Sequence, residues 1–339
     1  MSVDFKSIVG NGELKSRLSR DISDRTLSHA YIIEGQRGSG RHTLAYNIAA
    51  ALACSSAGNV PCGECKSCKK ILSFTSPDVI TVGLEEDKVT IGVETVRAIR
   101  EDMPLAPNDL EIKVYIIEDA DLMTVQAQNA LLLSLEEPPS YVLFFLLCEN
   151  STSLLETIRS RAPSLRLQLL SDSEVEEYIL KNDKRAIQLK EEDGEVFRTV
   201  IHAAGGRIGY ALELLDARRR KALLDERRIV QSIISLLQSP NKAEVLGVIA
   251  SLGKVRNDVI KNLTAIEYAV RDLMILKKAE NAHLCFYYDK EYAQEISTHF
   301  TSTALMSLYD AVTDTIVDLE AGANVRLTVL NMMQKAGLI

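Results

Sequence analysis

Tryptophan is absent from this 339-residue chain, and aromatic residues as a whole make up 5% of it. Positive charge is also in short supply: 39 Lys and Arg against 47 Asp and Glu leave a net charge of -8. A protein that binds nucleic acid on its own needs stacking platforms on a positive surface, so an autonomous binder of that kind is disfavoured. No apolar run approaches the roughly 18 residues of a membrane span, and the N-terminus lacks a basic-plus-apolar signal pattern, so a cytoplasmic location is expected. Only eight prolines occur, with 46% hydrophobic and 25% charged residues, which excludes fibrous and disordered classes. Six cysteines in a reducing compartment are no disulfide framework, and any cluster among them reads first as a metal site. The length suggests two or three domains.

The hydrophobic pattern changes character once along the chain. Val3 to Leu18 has apolar residues at helical spacing, Thr26 to His29 is polar, and Ala30 to Glu34 reads as a short buried strand. Further strands are expected at Asp78 to Val82, Lys113 to Glu118 and Val142 to Leu147, with a possible fifth at Leu165 to Leu169. Helices are expected between them at Leu44 to Ala53, Ile91 to Met103 and Gln126 to Glu136, the last two stopping before prolines. Strands without polar alternation, separated by helices, predict an α/β fold with a parallel sheet covered on both faces and ligands at the strands' carboxyl ends. Beyond residue 169 only helical segments follow, such as Ser173 to Lys181, Val196 to Ala204 and Tyr210 to Arg220. A separate helical domain is expected to begin in the charge-rich stretch Arg218 to Arg228 and to run to Ile339, giving domains at 1–169, 170–217 and 218–339.

Gly35 to Thr43 reads GQRGSGRHT, between the strand and helix that a phosphate loop requires. In a working loop, glycines let backbone N–H groups close on the phosphates, a Lys reaches the terminal pair, and a Ser or Thr hydroxyl holds Mg²⁺. Here Gly35, Gly38 and Gly40 remain, but Arg41 and His42 stand at the two side-chain positions and Thr43 comes one residue late. The strand Lys113 to Glu118 runs on into Asp119, where a P-loop enzyme places its Mg²⁺-holding and water-orienting carboxylates, yet Glu118 and Asp119 come in the reverse of the usual Asp-Glu order. A solvated acidic strand end is the alternative.

Cys54, Cys62, Cys65 and Cys68 give the spacing C-x7-C-x2-C-x2-C. Four thiolates can surround Zn²⁺ tetrahedrally in a closed site that fixes a loop and leaves no position for water; the alternative is a chance cluster beside a helix end. Lys66, Lys69 and Lys70 around it allow a zinc-dependent nucleic-acid binder as a further reading. Cys148 and Cys285 read as core residues. Ser160 and Arg161 precede Pro163, and an isolated Arg of this kind is usually a solvated surface group.

The stretches SHAYIIEGQRGSGRHTLA, KVYIIEDADLMTVQAQNALLLSLEEPP and TIRSRA, in this order around the four cysteines, resemble the delta prime family of bacterial DNA polymerase III clamp-loader subunits, within the AAA+ clamp loaders. Asn324 to Asn331 resembles the family's C-terminal helical region less specifically. The resemblance implies an AAA+ P-loop module, a small helical lid and an all-α collar. It also implies a pentamer containing gamma/tau-type ATPase subunits and a delta subunit, which loads the sliding clamp onto primed DNA. In that family a Ser-Arg-Cys motif sends an arginine to the ATP of the neighbouring subunit; Ser160 and Arg161 match it, with Ala162 in place of the Cys. Leu133 departs from a frequent Lys. The lid arginine with which ATPase relatives sense nucleotide would fall near Gly209, leaving Arg207 as a weak substitute. The expectation is a subunit that does not turn over ATP productively and serves a neighbour's chemistry; an active ATPase of the same class is the alternative.

Overall fold

The computed structural model describes residues 2–85, 88–236, 247, 252–253, 255–279 and 284–337. The chain divides into two compact units, one of residues 1–179 with 206–210 and another of residues 180–205 with 211–339.

The first unit is built on a five-stranded, wholly parallel sheet. In chain order its elements are β1 (Ser2–Val3), α1 (Gly12–Ser23), β2 (Ala30–Glu34), α2 (Arg41–Leu52), β3 (Asn59–Val60), α3 (Lys66–Leu72), β4 (Val79–Val82), α4 (Val93–Asp102), β5 (Lys113–Ile117), α5 (Val125–Glu136), β6 (Val142–Cys148), α6 (Glu156–Arg159) and β7 (Ser164–Arg166). The strand order is β4-β5-β6-β2-β7, with β2 in register Ile33 to Leu147 on one side and Ile33 to Leu165 on the other. Every residue of β2, β5 and β6 is buried, as their unbroken apolar runs require. Alternate residues serve opposite faces. Tyr31, Ile33, Val114, Ile116, Phe145 and Leu147 join the core under α1 to α3, whereas Ile32, Tyr115, Ile117, Phe144 and Leu146 join the core under α4 to α6.

The expected helix Val3 to Leu18 is corrected: Ser2 and Val3 pair with Asn59 and Val60 in a separate two-stranded parallel sheet, and the helix starts only at Gly12. Two-residue strands carry no period for a pattern to reveal. Lys113, at the start of β5, is buried, and its ammonium is held by the Asp102 carboxylate at 2.8 Å and by the Asp102 and Leu105 carbonyls.

The second unit is helical: among the described residues no strand follows β7. Its helices include α8 (Lys184–Glu192), α9 (Gly194–Ala204), α11 (Ala217–Leu236), α12 (Arg256–Leu276), α13 (Lys290–Thr298), α14 (Ser302–Glu320) and α15 (Val325–Lys335), with α7 (Asp172–Asn182) and α10 (Ile208–Leu214) spanning the boundaries between units. One core, including Val230, Leu263, Val270, Leu305, Val312 and Met333, joins α11, α12, α14 and α15. Asn324 caps α15 by accepting from the amides of Arg326 and Leu327. The continuous helix expected over Tyr210 to Arg220 is broken in two, because Asp216 accepts from the Arg218 and Arg219 amides and so caps a new helix. The expectation of helix as far as Ile339 falls partly outside the described residues, at 237–246, 248–251, 254, 280–283 and 338–339. No helix among the described residues is long and apolar enough to cross a membrane.

Candidate functional site: a closed phosphate loop and an exposed arginine

The phosphate loop lies at the carboxyl end of β2, which sits between β6 and β7. Gly38 and Gly40 take φ of 84° and 101°, a region that a side chain would strain, so both glycines are required by the loop's shape. At the next strand ends stand the acids: Glu118 and Asp119 after β5, and Glu149 after β6.

Two side chains of the loop, Arg41 and His42, each face one of these acids. Arg41 is buried, with Nη2 3.5 Å from Asp119 Oδ1, and its Nη1 has no hydrogen-bond partner among the described residues. His42 Nδ1 lies 3.4 Å from Glu118 Oε1. Thus the carboxylates that would hold Mg²⁺ in an active site here face side chains of the loop itself. Asp119 adopts a left-handed φ of 45°, which fits its short polar side chain. Glu34, at the end of β2, is buried; desolvation opposes its charge, but hydrogen bonds from Ser151 and Arg166 prevail and hold its carboxyl below the usual range.

Two contacts close the loop. The Arg37 amide donates to Glu149 Oε1 at 3.1 Å, so a carboxylate occupies a backbone donor of the kind that meets phosphate, while the Glu149 amide donates to Asp121 Oδ2. The Gly209 amide donates to Gly38 O at 2.9 Å, and the two backbones touch: a Cβ on Gly38 would stand 2.8 Å from Tyr210 N, and one on Gly209 would stand 2.9 Å from Gly38 Cα. A side chain at Gly209 would therefore collide with the Gly38 backbone. Arg207 lies over the Tyr210 ring, 4.6 Å from its centroid. Neither Glu149 nor the Gly38–Gly209 contact was legible as a motif, although Glu149 directly follows a buried strand, the position at which ligand-binding side chains are sought in such sheets.

Arg161 follows α6 and is solvent-accessible. Its Nη2 donates to Glu136 Oε1 at 2.9 Å, and its Nη1 to the Thr157 carbonyl at 3.0 Å, with Ser160 Oγ at 3.5 Å. Ala162 is buried in the core beneath α4 to α6, which gives this position a packing role. Leu133 is 56% exposed on α5, one turn before Glu136.

The four clustered cysteines converge. Their sulfurs all lie within 4.8 Å of one another, and Cys62 Sγ is 4.0 Å from Cys68 Sγ. Bonds of ~2.3 Å from a tetrahedral Zn²⁺ place sulfurs about 3.8 Å apart, so the donor set fits this metal. Amides of Cys62, Cys65 and Cys68 point at the sulfurs of Cys54, Cys62 and Cys65, as thiolate ligands require. Burial opposes the Cys65 thiolate, but the amides of Cys68 and Ser55 outweigh it and lower its pKa to about 6; the amides of Cys65 and Glu64 lower that of Cys62. Cys148 is a core residue whose thiol is pushed up to about 12 by burial. Cys285 is not: it is exposed, with Arg271 Nη1 2.9 Å from its sulfur.

Cys62→Ser/Cys65→Ser protein is expected to purify with under about a tenth of the zinc of the unaltered chain, read by metal analysis. Because Cys54 and Cys68 also pack in the core of the first unit, it should remain folded, with residues 54–68 cut first in limited proteolysis. An unaltered metal content would sink the assignment.

Residues 10–171 match the family described as DNA polymerase III, delta subunit. The tau subunit of DNA polymerase III from Bacillus subtilis (strain 168) is 29% identical over 290 residues, 81% of this chain and 50% of that protein. The delta' subunit of the same organism is 33% identical over 187 residues, 54% of this chain and 55% of that protein. Over residues 10–171 this chain is similar to the clamp-loader subunits of DNA polymerase III. A solved structure of a DNA polymerase III gamma-subunit-related protein from Thermotoga maritima aligns over 95% of this chain and 98% of its own, at 16% identity and a TM-score of 0.48. The chain spans about half the length of the curated relatives it matches.

Proposed function

We propose that this chain is the delta prime-type subunit of a bacterial clamp loader: an assembly subunit that does not hydrolyse ATP and that donates Arg161 to the nucleotide of an adjoining gamma/tau-type ATPase. Its domains divide at 1–169, 170–217 and 218–339, the last two serving as lid and collar. Its partners are those ATPases, a delta subunit and, through the complex, the sliding clamp and primed DNA. Zn²⁺ held by the four cysteines stiffens the loop beside α3.

The observation that carries the non-catalytic reading is the closed loop. An incoming phosphate would meet the Glu149 carboxylate at the Arg37 amide and the Gly209 backbone against Gly38. Mg²⁺ would have to displace Arg41 and His42 from the acids after β5. Arg41 adds no compensating point charge, since its planar fork and longer stem do not reproduce a lysine ammonium within a tight loop.

The second reading, an active ATPase of the same class, is favoured by the tau relative, whose match covers more of this chain than the delta' match does. Titration of the isolated chain with a fluorescent ATP analogue decides between them. No saturable binding below the millimolar range and no turnover above a contaminant control are expected. Turnover abolished by Arg41→Ala would establish the ATPase and overturn the proposal.

A further inference from the structure

We infer that Glu136 is a positioning residue for Arg161, fixing the guanidinium so that one edge is presented to an anion on a neighbouring chain. The inference rests on the trans-acting role proposed for Arg161.

Arginine has five N–H donors in one plane. Nη1 is occupied by the Thr157 carbonyl and the nearby Ser160 hydroxyl, and one N–H of Nη2 by Glu136 Oε1. Among the described residues, Nε–H has no partner and Nη2 makes only the bond to Glu136. Nε and Nη2 share one edge of the fork, and such an edge binds phosphate or carboxylate oxygens bidentately. The two anchors come from different elements, α6 and the carboxyl end of α5, so the plane is held from two sides.

The carboxyl end of α5 suits this task. Unpaired carbonyls give a helix's last turn partial negative charge, and here the turn carries no basic residue but ends in Glu136. Arg161 therefore meets a negative patch that orders it before any partner arrives. The pair is largely solvent-accessible, with side chains 36% and 47% exposed, so it adds little to folding. A contact that contributes little to stability and yet fixes the orientation of the exposed guanidinium is better explained by what that guanidinium must reach. A multiply charged nucleotide can engage that edge while Glu136 still holds Nη2.

The test uses the full clamp loader reconstituted with ATPase and delta subunits of the same organism, with ATP turnover and clamp loading as readouts. Glu136→Ala is expected to lower the turnover supported by the Arg161 interface about ten- to a hundredfold, the scale of a misplacement near 1 Å. KM for ATP and the chain's melting temperature should not change. Glu136→Gln keeps an acceptor for Nη2 and should restore most of the rate. The double variant Glu136→Ala/Arg161→Ala should be no slower than Arg161→Ala. Glu136→Ala as fast as the unaltered complex, or faster, while Arg161→Ala is slow would overturn the positioning role alone. Arg161→Ala without effect would overturn the trans-acting role and this inference with it. Glu136→Ala that is slow and not rescued by Gln would overturn positioning in favour of a need for negative charge.

Discussion

Replacing Arg161 by Ala is expected to slow hydrolysis about 10³-fold or more at the neighbouring ATP site to which we propose it is donated, while leaving the chain folded and the complex assembled. The magnitude is that of arginine fingers in other phosphoryl-transfer systems, where a guanidinium offered in trans neutralises charge spreading over the transferring group. Folding should be indifferent, because the exposed pair with Glu136 is worth well under about 1 kcal/mol. In a complex with several ATP sites, the bulk steady-state rate falls only by the share of the affected site unless the sites fire in sequence. The informative measurement is therefore single-turnover hydrolysis by the reconstituted complex, in which one site's amplitude should pass into a slow phase. Arg161→Lys should recover only a small part of the loss, since a point charge cannot bridge two oxygens as the fork does. Full single-turnover amplitude in the Ala complex would sink the finger.

The strands were legible because burial on both faces demands continuous apolar sequence, and Val142 to Cys148 and Val114 to Ile117 supply it. The loop was legible because GQRGSGRHT places Gly38 and Gly40 where left-handed backbone is needed, just after a strand. What failed to show was everything that depends on pairing across the fold. Nothing local marks Glu149 as the partner of the Arg37 amide 112 positions away. Gly209 read as a missing arginine, and only packing against Gly38 explains why no side chain fits. Asp216 divided a helix that periodicity had joined, although a capping Asp is itself a readable signal. Cys285 was assigned to the core on residue type, and the chain places it at the surface beside Arg271.

Asp residues are ordinarily solvated, so the two that are fully buried among the described residues, Asp78 and Asp272, are invisible to a pattern search. Asp272, on α12, accepts from the amides of Cys285, Phe286 and Tyr287 at 2.7 to 3.2 Å. Asp78, just before β4, accepts from those of Asn108, Asp109 and Leu110 at 2.6 to 2.9 Å. Each carboxylate takes three backbone amides, and Asp272 also meets Arg271 Nη1 at 3.3 Å, but the consequences should differ. Phe286 and Tyr287 are buried, so in Asp272→Ala their amides lose the carboxylate without gaining water; at about 1–3 kcal/mol for each stranded donor, a loss of about 3–5 kcal/mol is expected. Asn108 and Asp109 are exposed, so in Asp78→Ala the loop can turn its amides to solvent and the loss should stay near 1–2 kcal/mol. Because the two residues belong to different compact units, the changes should appear as separate losses of amide protection, around residues 284–287 in one variant and 108–110 in the other. Hydrogen exchange resolves them where a single melting curve would not. If Asp78→Ala proved the more destabilising variant, stranding of buried amides would not be what sets the cost.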